Sequence, residues 1–129
     1  MNPNDKQVAG SHYAGTYQHW DYVGLALQGR YLEGNATKYV SRWRKKNGLQ
    51  DLEKAKHYIE KILALFDEGV YDEPLPWDEC IAEAENFCDS NGIESDERLL
   101  CVGLAHWSTR QELLSMLTTL NRLLALAQP

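Results

Sequence analysis

The chain lacks every signature that would name a nucleotide-handling or metal enzyme at sight. There is no GxxxxGK[ST] phosphate loop, no GxGxxG, no GxSxG and no HExxH. Its 3 cysteines, Cys80, Cys88 and Cys101, contain no CxxC pair and make no set with zinc spacing. An odd number without pairs fits buried free thiols in a reducing compartment. A basic-then-apolar leader is not present at the N-terminus, so a cytoplasmic setting is expected. No apolar run reaches the roughly 18 residues that a spanning helix needs. The best run, Leu113 to Ala127, is interrupted by Ser115, Thr118, Thr119, Asn121 and Arg122, so no membrane partner is expected. Repeats and low-complexity tracts are also missing.

What is present fits a globular chain: 129 residues, 43% apolar and 25% charged. That length suits one domain, or one domain with a helical appendage. The segment 1–10, MNPNDKQVAG, reads as a loose arm. Net charge is −6, yet its distribution is uneven. Between Thr37 and Lys61 there are eight Lys or Arg against three acids, and between Asp67 and Leu100 twelve acids against Arg98 alone. A basic site beside an acidic surface follows. The acidic total argues against a general nucleic-acid binder, so nucleic acid is not an expected partner.

Helical periodicity dominates after residue 30. From Tyr31 to Lys46, Leu32, Ala36, Tyr39, Val40 and Trp43 recur three and four apart, and Asn35, Lys38, Arg42 and Lys45 form the opposite stripe. Asn47-Gly48 should stop this helix. A second helix restarts at Gln50 or Asp51 with Leu52, Ala55, Ile59, Ile62, Leu63 and Phe66 inward. The short turn makes the pair an αα-hairpin whose basic faces converge. Pro74 and Pro76 mark an acidic linker over 67–76. Further helices are expected from Trp77 to Asp89, from Ser95 to His106, and after Thr109, where Thr109-Arg110-Gln111-Glu112 reads as a capping box. Leu113, Leu117, Leu120 and Leu124 make a leucine stripe that either covers the hairpin or joins copies of the chain in a homo-oligomer. The strongest strand signal is Tyr17 to Leu27. The expected fold is thus mainly α: a small helical bundle built on an αα-hairpin, with an irregular or short-strand N-terminal segment.

Chemistry concentrates in the hairpin. Lys38, Arg42 and Lys45 share a helix face, with Lys54 and Lys61 on the next helix. Clustered cations suit a phosphorylated ligand, because each charge-assisted bond to phosphate contributes roughly 1.5–3 kcal/mol when desolvated. Tyr39, Trp43 and Tyr58 are near enough to stack a base, although the periodicity sends Tyr39 and Trp43 to the core. Two carboxylate or histidine sets come into view as metal sites: Glu79, Glu83 and Glu85 for Mg2+, and His12 with His19.

The runs SHYAGTYQHWDYV and GNATKYVSRWRKKNGLQDLEKAKHYIEKIL resemble a small phage family labelled nucleotide kinase-like. The resemblance rests on His12-Tyr13, Gly34-Asn35, Lys38-Tyr39, Arg42, Asp51-Leu52, Lys54-Ala55 and Tyr58, over residues 11–66. It implies a phage protein in the host cytoplasm, with 11–66 as the kinase-like hairpin domain and 77–129 as a C-terminal extension. It further implies a nucleotide-binding protein, in one reading a deoxynucleoside monophosphate kinase without a phosphate loop. In that reading His12, Lys38 and Arg42 are catalytic. Tyr13, Asn35, Lys45, Lys54 and Tyr58 join Lys38 and Arg42 in holding nucleotide and phosphates, and Asp51 is the ligand for a metal, Mg2+. The competing reading is non-catalytic: a protein that inhibits a host protein or defence system through its acidic surface or by sequestering a nucleotide.

Overall fold

The structure is a computed structural model, and it describes residues 17–128. His12 and Tyr13 lie outside the described residues, as does the 1–10 arm. Six helices and no strand occur among the described residues: α1 (His19–Leu25), α2 (Tyr31–Arg42), α3 (Leu49–Asp67), α4 (Asp78–Asn91), α5 (Ser95–His106) and α6 (Arg110–Ala127).

The α2–α3 hairpin is the scaffold. Ala36 and Val40 of α2 face Leu52, Ala55, Ile59 and Ile62 of α3, all buried. α6 packs on α3, α5 packs on both α6 and α2, and the four helices close a ring around one core. Leu113, Met116, Leu120 and Leu123 carry α6 into that core. The leucine stripe therefore covers the hairpin internally. α4 lies against α5, and α1 against α4. The three thiols are free and buried.

The helix ends follow local chemistry. Thr109 caps α6 by accepting the Glu112 amide at 3.1 Å, and its hydroxyl also faces the Glu112 carboxylate at 3.2 Å. Gly92 ends α4 with a φ of 65°, and the Ile93 amide reaches back to the Cys88 carbonyl at 2.9 Å. α2 stops at Arg42, short of the expected Lys46, and residues 43–48 form the turn. The cause is tertiary: the Trp43 indole N–H donates to Glu97 at 3.1 Å, and the Arg44 Nε donates to the same oxygen at 2.6 Å. Both side chains are drawn toward α5 rather than along the helix.

The short-strand expectation for Tyr17 to Leu27 fails, because α1 occupies most of it. Tyr22 and Ala26, one turn apart, are both fully buried. The Tyr22 ring stacks on Phe87 at 4.3 Å, and its hydroxyl donates to the Cys101 carbonyl at 2.6 Å. The strand signal in that stretch loses to a single helical contact line. α1 then turns into α2 through Gln28 and Gly29, with φ of 57° and 71°. Gln28 is a costly residue in that region. Its amide clamps the Leu75 backbone from both sides, donating to the carbonyl at 2.8 Å and accepting from the N–H at 3.1 Å.

That clamp helps to fix residues 68–77, which run as an ordered strap. Arg30 donates to the Asp72 carbonyl at 2.5 Å, Tyr71 donates to Glu33, and Pro74 is buried.

Candidate phosphate-binding cleft

The outward face of α2 meets α1 and the end of α4 in a cleft. Lys38, Arg42 and Lys45 line it together with Tyr17, His19, Asn91, Phe87 and Ile93. The cavity measures about 70 Å3. That holds a few waters, or a tetrahedral oxyanion, and falls well short of the roughly 300–1,000 Å3 that encloses a drug-sized ligand. A phosphate fits inside; a nucleoside attached to it must lie outside.

Tyr17, His19, Arg42 and Asn91 are held in place by hydrogen bonds. Asn91 donates to the carbonyls of Tyr17 and Phe87, both at 2.9 Å, tying the chain before α1 to α4. Tyr17 donates to Glu83 at 2.6 Å, and burial together with that carboxylate pushes its hydroxyl pKa up. His19 Nε2 stands 2.9 Å from the Thr37 hydroxyl, which also contacts the Glu33 and Gly34 carbonyls at 3.0 and 3.1 Å. Burial, and then the Lys38 charge, lower the His19 pKa to about 4. At neutral pH the ring is uncharged, so the positive charge of the cleft comes from Lys38, Arg42 and Lys45.

Arg42 is anchored by Asp51. Its Nη2 lies 3.3 Å from one Asp51 oxygen, and the other oxygen accepts the Asn47 amide at 3.2 Å. Asp51 is fully buried, and these bonds hold the hairpin turn together. Both its oxygens thus have partners within the fold. Among the described residues no three His, Cys, Asp or Glu side chains converge as a metal site. Glu79, Glu83 and Glu85 are separated accordingly: Glu83 faces Tyr17, and Glu85 pairs with Arg98.

The sequence-expected residues fall into two groups. Lys38, Arg42 and Lys45 come together in the cleft, although Lys45 sits in the turn rather than on the helix. Lys54 and Tyr58 line a neighbouring open groove with Leu32, His57 and Lys61, and with Gln50 and the carboxylate of Glu53. The two are joined through Tyr39, which is half-buried rather than in the core. Its ring has Arg42 at 4.7 Å, Lys54 at 5.3 Å and Lys38 at 5.7 Å. Tyr58 stacks beside it at 6.1 Å. Asn35 sits at the margin and donates to the Tyr31 carbonyl of its own helix at 2.9 Å. Trp43 is buried as expected.

Sequence reasoning passed over Tyr17 and Asn91, and read His19 only as a metal candidate. Nothing local marks them: they converge because Tyr22 docks α1 onto α4. It also passed over Glu33 and Glu97, whose helical positions look like ordinary solvated acids. Each accepts an indole N–H and an arginine Nε: Trp107 at 3.0 Å and Arg30 at 2.7 Å for Glu33, Trp43 and Arg44 for Glu97.

Residues 9–60 match the model of DUF3310, a protein family of unknown function. The match takes in α1, α2 and most of α3, less than half of the 129 residues. No curated protein and no solved structure matches the chain. The resemblance to a nucleotide kinase-like phage family is corrected by this result: the family that the hairpin matches carries no assigned activity. No described helix is long and apolar enough to cross a membrane.

Proposed function

We propose that this chain binds a phosphorylated small ligand, a nucleotide, by seating its phosphate in the cleft of Lys38, Arg42 and Lys45. The observation that carries this reading is the fit of charge to volume. Three cations converge on a space of about 70 Å3 whose wall histidine is neutral. Asp51 already balances Arg42, so a divalent anion neutralises what remains, and no carboxylate lines the cleft itself. Two or three charge-assisted bonds of roughly 1.5–3 kcal/mol each give micromolar to millimolar binding after ordering costs. Tyr39 lies directly beside the cations, where a base or sugar leaving the cleft would rest.

Calorimetry with inorganic phosphate, nucleoside monophosphates and triphosphates tests it, with product analysis of the same samples. Binding should weaken about tenfold in Lys38→Ala and in Lys45→Ala. Turnover would add phosphoryl transfer to the reading. No heat at millimolar ligand would end it.

The strap favours a second reading, docking of a basic protein surface. Leu75 and Trp77 are 53% and 54% exposed on a backbone already fixed by Gln28 and Arg30. Asp72, Glu73, Asp78 and Glu79 around them enter none of the ion pairs among the described residues. A preorganised tryptophan with unpaired acids suits an interface anchor. A partner retained equally by Trp77→Ala and by the variant with those four acids neutralised would refute it.

A further inference from the structure

We propose that the tyrosines bridging α2 and α3 form a platform for single-stranded oligonucleotides, which runs from the phosphate cleft across the hairpin. Tyr31, Tyr58 and Tyr39 stand in a row. Tyr31 meets Tyr58 edge-on at 6.2 Å, and Tyr58 meets Tyr39 nearly parallel at 6.1 Å and 19°. Tyr31 is 69% exposed, so its ring face is open to a ligand. Two helical turns separate Tyr31 from Tyr39, about 12 Å, the reach of two or three extended nucleotides.

Cations flank the row on both sides. Lys38 and Arg42 border it on α2 and turn toward the cleft, while Lys54 and Lys61 line the groove beside Tyr58 on α3. Aromatic faces between lysines are the physical requirements of a sequence-tolerant single-strand site, where stacking holds bases and cations track the backbone. The same arrangement is poor for a duplex, whose bases offer no free face to an exposed ring. The overall charge of −6 does not oppose this placement, because twelve of the 19 acids lie in 67–100 and the hairpin is locally basic despite Glu53 and Glu60 on α3. A phosphate in a cavity too small for a nucleoside leaves the rest of a strand to follow this row. The platform rests on the cleft reading only through Lys38 and Arg42, which serve both.

The test is fluorescence anisotropy of the full chain with labelled oligodeoxyuridylate and oligouridylate of about twelve nucleotides. The expected result is binding that falls ~20-fold between about 50 and 200 mM salt, as three phosphate contacts imply. Tyr31→Ala and Tyr58→Ala should each weaken it about tenfold. Tyr31 is exposed, so its loss leaves the fold intact, and the melting curve of each variant verifies that. Leu126→Ala, on the exposed side of α6, should leave affinity unchanged. Equal binding of the two strands places recognition on the shared backbone and bases; preference for the ribose strand adds a contact to its 2′-hydroxyl. Duplex bound as well as single strand, or affinity unmoved by both tyrosine variants, overturns the platform. Oligonucleotide binding without mononucleotide or phosphate binding sustains the platform while the cleft reading fails. Mononucleotide binding with no gain for the longer strand does the reverse.

Discussion

Removing the Glu33 carboxylate should cost this protein several times more than removing that of Glu97, although both hold a tryptophan and an arginine. Glu33 is fully buried, and its Arg30 partner is only 20% exposed; Glu97 is 11% exposed with an Arg44 that is 57% exposed. In Glu33→Ala the Trp107 N–H loses its acceptor inside the core. A buried unsatisfied donor costs about 1–3 kcal/mol. Breaking the buried ion pair adds to this, and such losses usually reach about 3–5 kcal/mol in all. Tyr71 also loses its acceptor, which loosens the strap. The expected total is about 4 kcal/mol. In Glu97→Ala, Arg44 returns to water at little cost, since exposed pairs contribute about 0–1 kcal/mol. Only the Trp43 N–H is stranded, so about 1–2 kcal/mol is expected. For a domain of this length each kcal/mol moves Tm by about 3–5 °C. Glu33→Ala should therefore melt about 12–20 °C lower, and Glu97→Ala about 3–10 °C lower. Urea and thermal melts followed by far-ultraviolet circular dichroism measure both. If Glu33→Ala loses no more than Glu97→Ala, the assignment of burial as the deciding term is wrong.

Two other outcomes follow from the structure. His19 has a folded pKa of about 4 against about 6.5 unfolded, so the unfolded chain binds the extra proton first as pH falls. Its contribution is complete above about pH 6.5 and is lost downward to about pH 4; at pH 5 roughly 2 kcal/mol is gone. His19→Gln should flatten that part of the stability–pH curve, and an unchanged slope would show that the ring is not held neutral. Thr109→Ala should lower stability by about 1 kcal/mol through loss of the α6 cap, whereas Thr109→Ser should restore most of it in the same melt.

Much of the architecture was legible along the chain because it depends on neighbours three or four residues away. The apolar stripes of α2 and α3 and the Thr109 capping box are all local. So is the pairing of Lys38 and Arg42 on one face of α2, whereas Lys45 reaches the cleft from the turn. Local signals erred where a distant partner outbid them. Glu97 takes Trp43 and Arg44 and ends α2 early. Phe87 and the Cys101 carbonyl take Tyr22, turning the segment with the strand signal into α1.

The sequence by itself determined a helical chain with a basic hairpin and an acidic second half, since period and composition are properties of the string. Only the tertiary structure decided that His19, Tyr17 and Asn91 close a cleft over those lysines. It alone set Tyr39 beneath three cations instead of in the core, and it alone buried Glu33 against Trp107. Those placements depend on which helix faces meet, and no pattern within one helix specifies its partner.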